Sequence, residues 1–201
     1  DMRMHMPVGW ADPHIKLSPP PPLMGRQMGR VHTPNVLPLG FEMDGKVKVF
    51  QLIAQPVEHY ILDGEPPEDS IWGRFYRAKG MMHGMILPQK IKGWGFNGSI
   101  PGPTIEAFEG DRIRIVVKNE LPEPTSIHWH GLEVPNDMDG VGGLTQPPIQ
   151  PGETFIYEFT LYQNGTFMYH SGFNEKKQVG MGLMGFFVIH PKKEKRKIDK
   201  D

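Results

Sequence analysis

The amino-acid sequence predicts an all-β fold, an antiparallel sandwich or barrel of short strands. Several segments alternate apolar and polar residues with the two-residue period of a half-buried strand, and turns containing Gly or Pro separate them. No segment has the 3.6-residue period of an amphipathic helix, so helical crossovers between strands are not expected. With 201 residues, the chain has room for one domain with a complete core and some additional extensions.

The first predicted element is an extended arm over residues 1–40. This segment is rich in Pro, Gly and Met and has neither strand nor helix periodicity. Four consecutive prolines, Pro19 to Pro22, favour a straight polyproline II stretch. The Met and His side chains of residues 2–6 could bind copper, but methionines that serve as adaptable packing are the simpler alternative.

The strands belong to a predicted domain over residues 41–191. KVKVFQLIAQ, which starts at Lys46, opens the series. In DRIRIVVKN, residues 111–119, Ile and Val alternate with Arg and Lys, and in ETFIYEFTL, residues 153–161, aromatic residues occupy every second position. The last strand, MGFFVIH, ends before Pro191. Each pattern is typical of a strand with one buried face.

Two further segments interrupt or follow the domain. About residues 63–90, which contain DGEPPEDS and KGMMHGM, are predicted to form a long surface insertion. KKEKRKIDKD, residues 192–201, is either a charged tail or a linker to a second domain. The Asn-Gly pairs at residues 97–98 and 164–165 are predicted turns rather than glycosylation sites.

Composition excludes several classes of function. Lys and Arg total 22 and Asp and Glu total 23, so a net charge of −1 gives no field to attract nucleic acid or an anionic membrane. No apolar run approaches the roughly 20 residues of a spanning helix. The sequence begins at Asp1 and not at Met, so either a leader has been removed or residues are missing. On the first alternative we expect an exported, periplasmic or extracellular location.

Cysteine is absent from the sequence. Its absence excludes disulfides, thiolate zinc sites and cysteine nucleophiles. A blue-copper electron-transfer site uses a Cys thiolate together with two His ligands, so this chain alone cannot form one.

The segment TSIHWHGLEVPN, residues 125–136, predicts a metal site. In a strand, His128 and His130 point to one side and Trp129 to the other. Imidazoles about 6.5–7 Å apart on one face can bind two neighbouring metals, or one metal with help from another segment. His170, at the end of the apolar stretch GTFMYH, is the third candidate. We therefore predict three metal ligands and no catalytic or separate cofactor-binding residue.

Other polar residues near this motif have simpler explanations. Asp137 and Asp139 are candidates for orienting a ligand or relaying a proton, with ordinary loop acids as the alternative. GVGGL, residues 140–144, lacks the strand-then-helix setting of a phosphate loop and is predicted to be a flexible loop near the metal face. Three histidines lack a partner at ligand spacing and are left outside the site: His59, His83 and His190.

Three segments together carry a family resemblance: NGSIPGPTIEAFEGDRIRIVVKNELPEPTSIHWHG, DGVGGLTQPPIQPGETFIYEFTLYQNGTFMYHS and GLMGFFVIHP. They resemble the N-terminal cupredoxin domain of multicopper oxidases of the laccase-like and copper-resistance type. The resemblance implies a cupredoxin-like antiparallel Greek-key β-sandwich with copper as cofactor. It assigns His128 to a type 2 copper and His130 to a type 3 pair. His170 matches the first histidine of the family's later His-x-His motif, whereas Gly172 stands in place of the second.

By this resemblance, the chain offers three of the four histidines that such a domain gives to a trinuclear cluster. The other half of the cluster and the type 1 Cys would come from another cupredoxin domain or subunit. One hypothesis is a component of a multicopper oxidase, an oxidoreductase only when such a partner completes it. The alternatives are a copper carrier and a degenerate scaffold without catalysis. The chain can form a homo- or hetero-oligomer. We expect it neither to bind nucleic acid nor to span a membrane.

Overall fold

The computed structural model describes residues 36–61 and 89–192. Most of the predicted arm, nearly all of the predicted insertion and nearly all of the charged tail lie outside these residues. The described residues form strands and two short helical segments. They are β1 Phe41–Asp44, β2 Val47–Ile61, β3 Gln89–Phe96, β4 Gly102–Phe108, β5 Arg112–Asn119, β6 Ile127–His130, a 3₁₀ turn Asn136–Met138, β7 Thr154–Thr160, β8 Gly165–Ser171, α1 Glu175–Gly180 and β9 Met184–His190.

The strands form two sheets that enclose one core. The first sheet has the order β1-β2-β5-β7, with β3 paired to β2, and the second has the order β4-β9-β8-β6. The predicted all-β sandwich is confirmed. Most neighbouring strands are antiparallel, but β2 with β5 and β4 with β9 are parallel. The sheets are therefore mixed, and the connection between the strands of each parallel pair passes through at least one strand of the other sheet.

The core follows the predicted alternation. On β7, Phe155, Tyr157 and Phe159 point inward and are 0–1% exposed. On β5, Ile113 and Ile115 point inward and have no exposed surface. Full burial of such a side chain contributes about 1.5–3 kcal/mol. The apolar stripes of β5 and β7 thus form one wall of the core, and β6, β8 and β9 form the opposite wall.

Two other features define the edges of the described region. Val36 and Leu39 are buried, and Leu39 N donates a hydrogen bond to Thr104 O at 2.7 Å, so residues 36–39 extend along β4. The α-helix formed by the described residues, α1, has six residues. No helix within residues 36–61 and 89–192 has the length and apolar character needed to cross a membrane.

Tyr157 and Tyr169 place phenol groups inside the core. Tyr169 Oη donates a hydrogen bond to Pro103 O at 2.7 Å, and Tyr157 Oη accepts one from Ile127 N at 3.0 Å. Burial raises the pKa of both phenols well above the ordinary value, and for Tyr157 the hydrogen bonds from Ile127 and Gln146 offset only part of this rise. Both groups therefore stay protonated in the folded chain at a pH where an unfolded tyrosine ionises.

We expect the protein to lose stability above about pH 10, the ordinary pKa of tyrosine. There the unfolded chain releases phenol protons that the folded chain retains, so the free energy of unfolding falls as pH rises. The slope should approach about 1.4 kcal/mol per pH unit for each buried tyrosine. Urea unfolding across this range measures it. Tyr169→Phe should remove one tyrosine's share of the slope, and an unchanged slope would contradict this account.

Candidate metal centre

The pairing of β6 with β8 brings the three predicted ligands together. His128 lies opposite His170, and His130 lies opposite Met168. Trp129 and Tyr169, the intervening pair, point into the core and have no exposed surface. Because side chains alternate along a strand, burying these two aromatic residues turns the histidines to the outer face of the sheet.

The three imidazoles form one compact cluster. Their ring centroids are 5.3 Å apart for His128–His170, 5.3 Å for His130–His170 and 5.8 Å for His128–His130. One ligand nitrogen from each ring lies within 4.8 Å of the other two. Among the described residues, these three histidines are the one group of at least three side chains of the metal-binding types His, Cys, Asp and Glu whose ligand atoms lie this close together. The predicted spatial convergence is therefore present in the structure; their role as ligands stays a prediction.

Backbone carbonyls orient two of the rings. His128 Nδ1 lies 2.7 Å from Asp139 O, and His170 Nδ1 lies 2.9 Å from Ser171 O. A carbonyl oxygen can only accept, so each Nδ1 carries the proton and each Nε2 presents its lone pair. His130 Nδ1 lies 3.1 Å from His170 Nε2. Because His170 Nε2 presents a lone pair, the Nδ1–H of His130 donates this hydrogen bond to it.

This donor set fits copper. Imidazole nitrogen is a ligand that Cu(II) accepts readily, and hydrogen bonds at the opposite ring nitrogen fix the tautomer that metal binding needs. Two carboxylates lie beyond the rings: Asp139 Oδ1 is 3.5 Å from His128 Nδ1, and Glu175 Oε1 is 3.7 Å from His170 Nδ1. The side chains of His128 and His130 reach solvent, whereas His170 is 4% exposed.

A buried glutamine supports the end of β8. Gln178, on α1, has no exposed surface, and its Oε1 accepts hydrogen bonds from Thr125 Oγ1 at 2.7 Å and Ser171 Oγ at 2.6 Å. Its Nε2 donates to Glu123 and to Pro124 O. These bonds join the segment before β6 to the residue after His170. Sequence reasoning missed Gln178, because a glutamine in a short polar segment carries no signal that it is buried.

The other candidates have different positions. Asp139 contacts the cluster mainly through its backbone carbonyl, whereas sequence reasoning considered its carboxylate. His190 Nε2 lies 2.5 Å from Glu106 Oε1, on β9 and β4. His59 lies on β2, opposite Ile91 in the first sheet. His83 and the Met and His residues of the arm lie outside the described residues.

Comparison with known proteins gives the family. The family model for multicopper oxidase matches residues 81–194, more than half of the chain. The chain belongs to the multicopper oxidase family. It is 42% identical over 113 residues to copper resistance protein A of Pseudomonas syringae pv. tomato, covering 56% of this chain and 18% of that protein. To copper resistance protein A of Escherichia coli it is 49% identical over 85 residues, covering 42% of this chain and 14% of the relative.

Solved structures of the family have the same sandwich. The multicopper oxidase of Campylobacter jejuni, described as a metallo-oxidase, aligns with a TM-score of 0.59 and 36% identity. The alignment covers 79% of this chain and 29% of that one. The laccase of Pediococcus acidilactici aligns with a TM-score of 0.61 and 28% identity. This alignment covers 82% of the present chain and 31% of the laccase chain.

These relatives confirm the cupredoxin-like β-sandwich, and membership of a copper-dependent oxidoreductase family makes copper the cofactor of this domain. The chain spans 18% and 14% of the two curated relatives and less than a third of the two aligned structures.

Proposed function

We propose that this chain is a copper-binding domain that contributes three imidazoles, from His128, His130 and His170, to a copper centre completed by another domain or chain. The observation that carries the proposal is the convergence of these rings, with one nitrogen of each within 4.8 Å of the others. Family membership favours copper, and imidazole donors are compatible with it because divalent-metal affinity generally peaks at Cu(II).

In this proposal, the imidazoles of the chain bind copper, and neighbouring groups of the chain orient the imidazoles. Asp139 O and Ser171 O hold the Nδ1 protons of His128 and His170, which leaves the lone pair of each Nε2 for a metal. The His170 Nε2 lone pair accepts a hydrogen bond from His130 Nδ1, and copper would take the place of that proton. Gln178 ties the end of β8 to the segment before β6, so the two ligand-bearing strands keep their register. Bound copper would supply one-electron redox chemistry. Without cysteine, this chain cannot supply the thiolate of an electron-accepting blue-copper site, so oxidase activity requires a partner.

The outer surface beside the histidines supports a protein partner. In the pairing of β6, β8 and β9, His130 lies next to Met168, and Met168 lies next to Phe186. Phe186 is 46% exposed. Exposed apolar side chains that lie side by side are a feature of interaction surfaces. We propose a second cupredoxin domain as the occupant of this surface, because the chain spans only 29% of the C. jejuni oxidase that it resembles.

Domain limits and location belong to the same proposal. Residues 41–191 form the domain, with about 63–90 as an insertion and 192–201 as a tail or linker. Residues 1–40 are its arm, of which residues 36–39 pack along β4 of the domain. Export to the periplasm or the cell exterior stays a prediction. Gly172 and the absence of cysteine favour a second candidate function, a copper carrier without catalysis of its own.

Titration of the full chain with Cu(II) tests the proposed function. The chain should bind copper more tightly than a variant in which His128, His130 and His170 are all alanine. The complex should lack the intense absorption near about 600 nm that a copper–thiolate bond gives, and it should not oxidise phenols by itself. Equal binding by the parent and the triple variant would refute the ligand assignment, and a strong band at that wavelength would refute the absence of a thiolate site.

A further inference from the structure

Two Asn–Gly pairs, Asn97–Gly98 and Asn164–Gly165, lie outside the candidate metal centre. Such a pair can rearrange spontaneously, because glycine has no Cβ to hinder its own backbone nitrogen. That nitrogen forms a bond to Cγ of the asparagine, the Cγ–Nδ2 bond breaks, and the amide leaves as ammonia with the proton of the nitrogen. Water then opens the resulting succinimide at either carbonyl and gives aspartate or isoaspartate. The reaction requires a side-chain amide that can turn toward the following nitrogen.

The Asn97 side chain is held at both ends. Its Oδ1 accepts a hydrogen bond from Ile53 N at 2.7 Å, and its Nδ2 donates one to Gln51 O at 3.0 Å. The backbone of Asn97 is bonded to the same strand, because its N donates to Ile53 O at 2.9 Å. Rotation of the amide toward the nitrogen of Gly98 therefore requires two hydrogen bonds to β2 to break together.

The Asn164 side chain is held less firmly. Asn164 and Gly165 are both exposed, and Nδ2 of Asn164 donates a hydrogen bond to Glu109 Oε2 at 3.0 Å. Glu109 is the hydrogen-bond partner that this side chain has among residues 36–61 and 89–192. A hydrogen bond between exposed groups exchanges with bonds to water, so it contributes little to fixing the amide. The Asn164 amide is therefore able to turn toward Gly165.

The backbone nitrogen of Gly165 lies at the end of a strand. Gly165 is the first residue of β8 and lies opposite Ile189, in the last pair of the β8–β9 ladder. The ends of secondary-structure elements open at a much smaller free energy than the core of a protein. Opening of this terminal pair exposes the Gly165 nitrogen and leaves it free to attack the side chain of Asn164.

We propose that Asn164 is a site of spontaneous conversion to aspartate and isoaspartate in the folded chain and that Asn97 is not. This inference is independent of the proposed function, because residue 164 precedes β8, whereas His170 lies near the other end of that strand. Conversion removes the hydrogen-bond donor to Glu109 and brings a second negative charge beside that carboxylate. Isoaspartate also adds a methylene group to the main chain directly before β8.

Peptide mapping by mass spectrometry tests the proposal. The full chain is incubated at mildly alkaline pH, and conversion of both asparagines is followed in the folded state and in guanidinium chloride. In the folded chain, Asn164 should convert at least about tenfold faster than Asn97, because two hydrogen bonds to β2 must break at Asn97. In guanidinium chloride the two sites should convert at similar rates, because the fold no longer separates them. Equal rates in the folded chain, or no conversion of Asn164 there, would overturn the proposal.

Two variants test the position and its consequence. Asn164→Gln is the matched control, because it retains an amide for Glu109 but would have to close a larger ring, so the product at residue 164 should disappear. Asn164→Asp, one of the two products, should lower the unfolding temperature of the parent and lower it less in a Glu109→Gln background, where the like charge is absent. Undiminished conversion in Asn164→Gln would place the reaction at another residue. An equal decrease in both backgrounds would contradict the role given to Glu109.

Discussion

Replacing His130 with alanine is expected to weaken copper binding by the full chain by at least about 100-fold, the upper range for loss of a residue that merely orients a ligand. His130 is one of the three proposed ligands, and its Nδ1 lies 3.1 Å from Nε2 of His170, another of them. Its side chain is exposed, so its removal leaves the core unchanged. Calorimetric titration, or competition with a chelator of known affinity, measures the effect.

His59→Ala is the matched control for this variant. It also removes one imidazole, but from β2 in the other sheet. The control should bind copper as the parent does, and both variants should unfold at the parent's temperature. If His130→Ala retains the parent's affinity, these histidines are not ligands, and the degenerate scaffold becomes the preferred function. His170→Ala is a less clean test, because His170 is buried and its loss also affects packing.

The sequence was sufficient to predict the strands whose pattern is local. In β7, Phe155, Tyr157 and Phe159 point inward as their alternation indicates. The Asn97–Gly98 pair has positive φ at both residues, as its composition indicates for a turn. The parallel pairing of β2 with β5 was not predictable in this way. Alternation shows which face of a strand is buried, but it contains no information on the direction of the neighbouring strand.

The candidate site, too, was predictable only in part from the sequence. The proximity of His128, His130 and His170 was predictable, because strand alternation fixes the face of the first two and the third ends a neighbouring strand; their role as ligands stays a prediction. The groups that orient them, Asp139 O and Ser171 O, were not predictable, because every residue has a backbone carbonyl and residue type does not reveal its direction. The consequence of Gly172 also required coordinates. In the sequence, Gly172 is only a position without a side chain, whereas the coordinates show that the Gly140 carbonyl lies 2.1 Å from the place of a Cβ.

The largest expected effect on stability comes from Trp129, which lies between His128 and His130, the two proposed ligands of β6. Its ring has no exposed surface and packs against Tyr157, Phe159, Tyr169 and Phe187 at centroid distances of 5.1–6.2 Å. Trp129→Ala should lower the free energy of unfolding by about 3–5 kcal/mol, from lost burial and the cavity left behind. Urea unfolding of the metal-free chain measures this loss.

Trp129→Phe separates packing from polarity. Trp129 Nε1 is buried and has no hydrogen-bond partner among the described residues, so phenylalanine removes an unsatisfied donor while it keeps an aromatic ring. This variant should therefore lose much less stability than Trp129→Ala. Equal losses would contradict the packing account.

Copper binding is expected to depend on the packing of Trp129. A ligand that binds only the folded state stabilises it by about 2.7 kcal/mol at 100 times its dissociation constant. Because Trp129 directs His128 and His130 to the same face, a loosened β6 in Trp129→Ala should bind copper more weakly and gain less stability from it than the parent at the same copper concentration. Trp129→Phe, which retains the ring, should gain nearly as much as the parent. Thermal unfolding with and without Cu(II) compares the three proteins. An equal gain in all three would mean that the position of the ligand histidines does not depend on the packing beneath them.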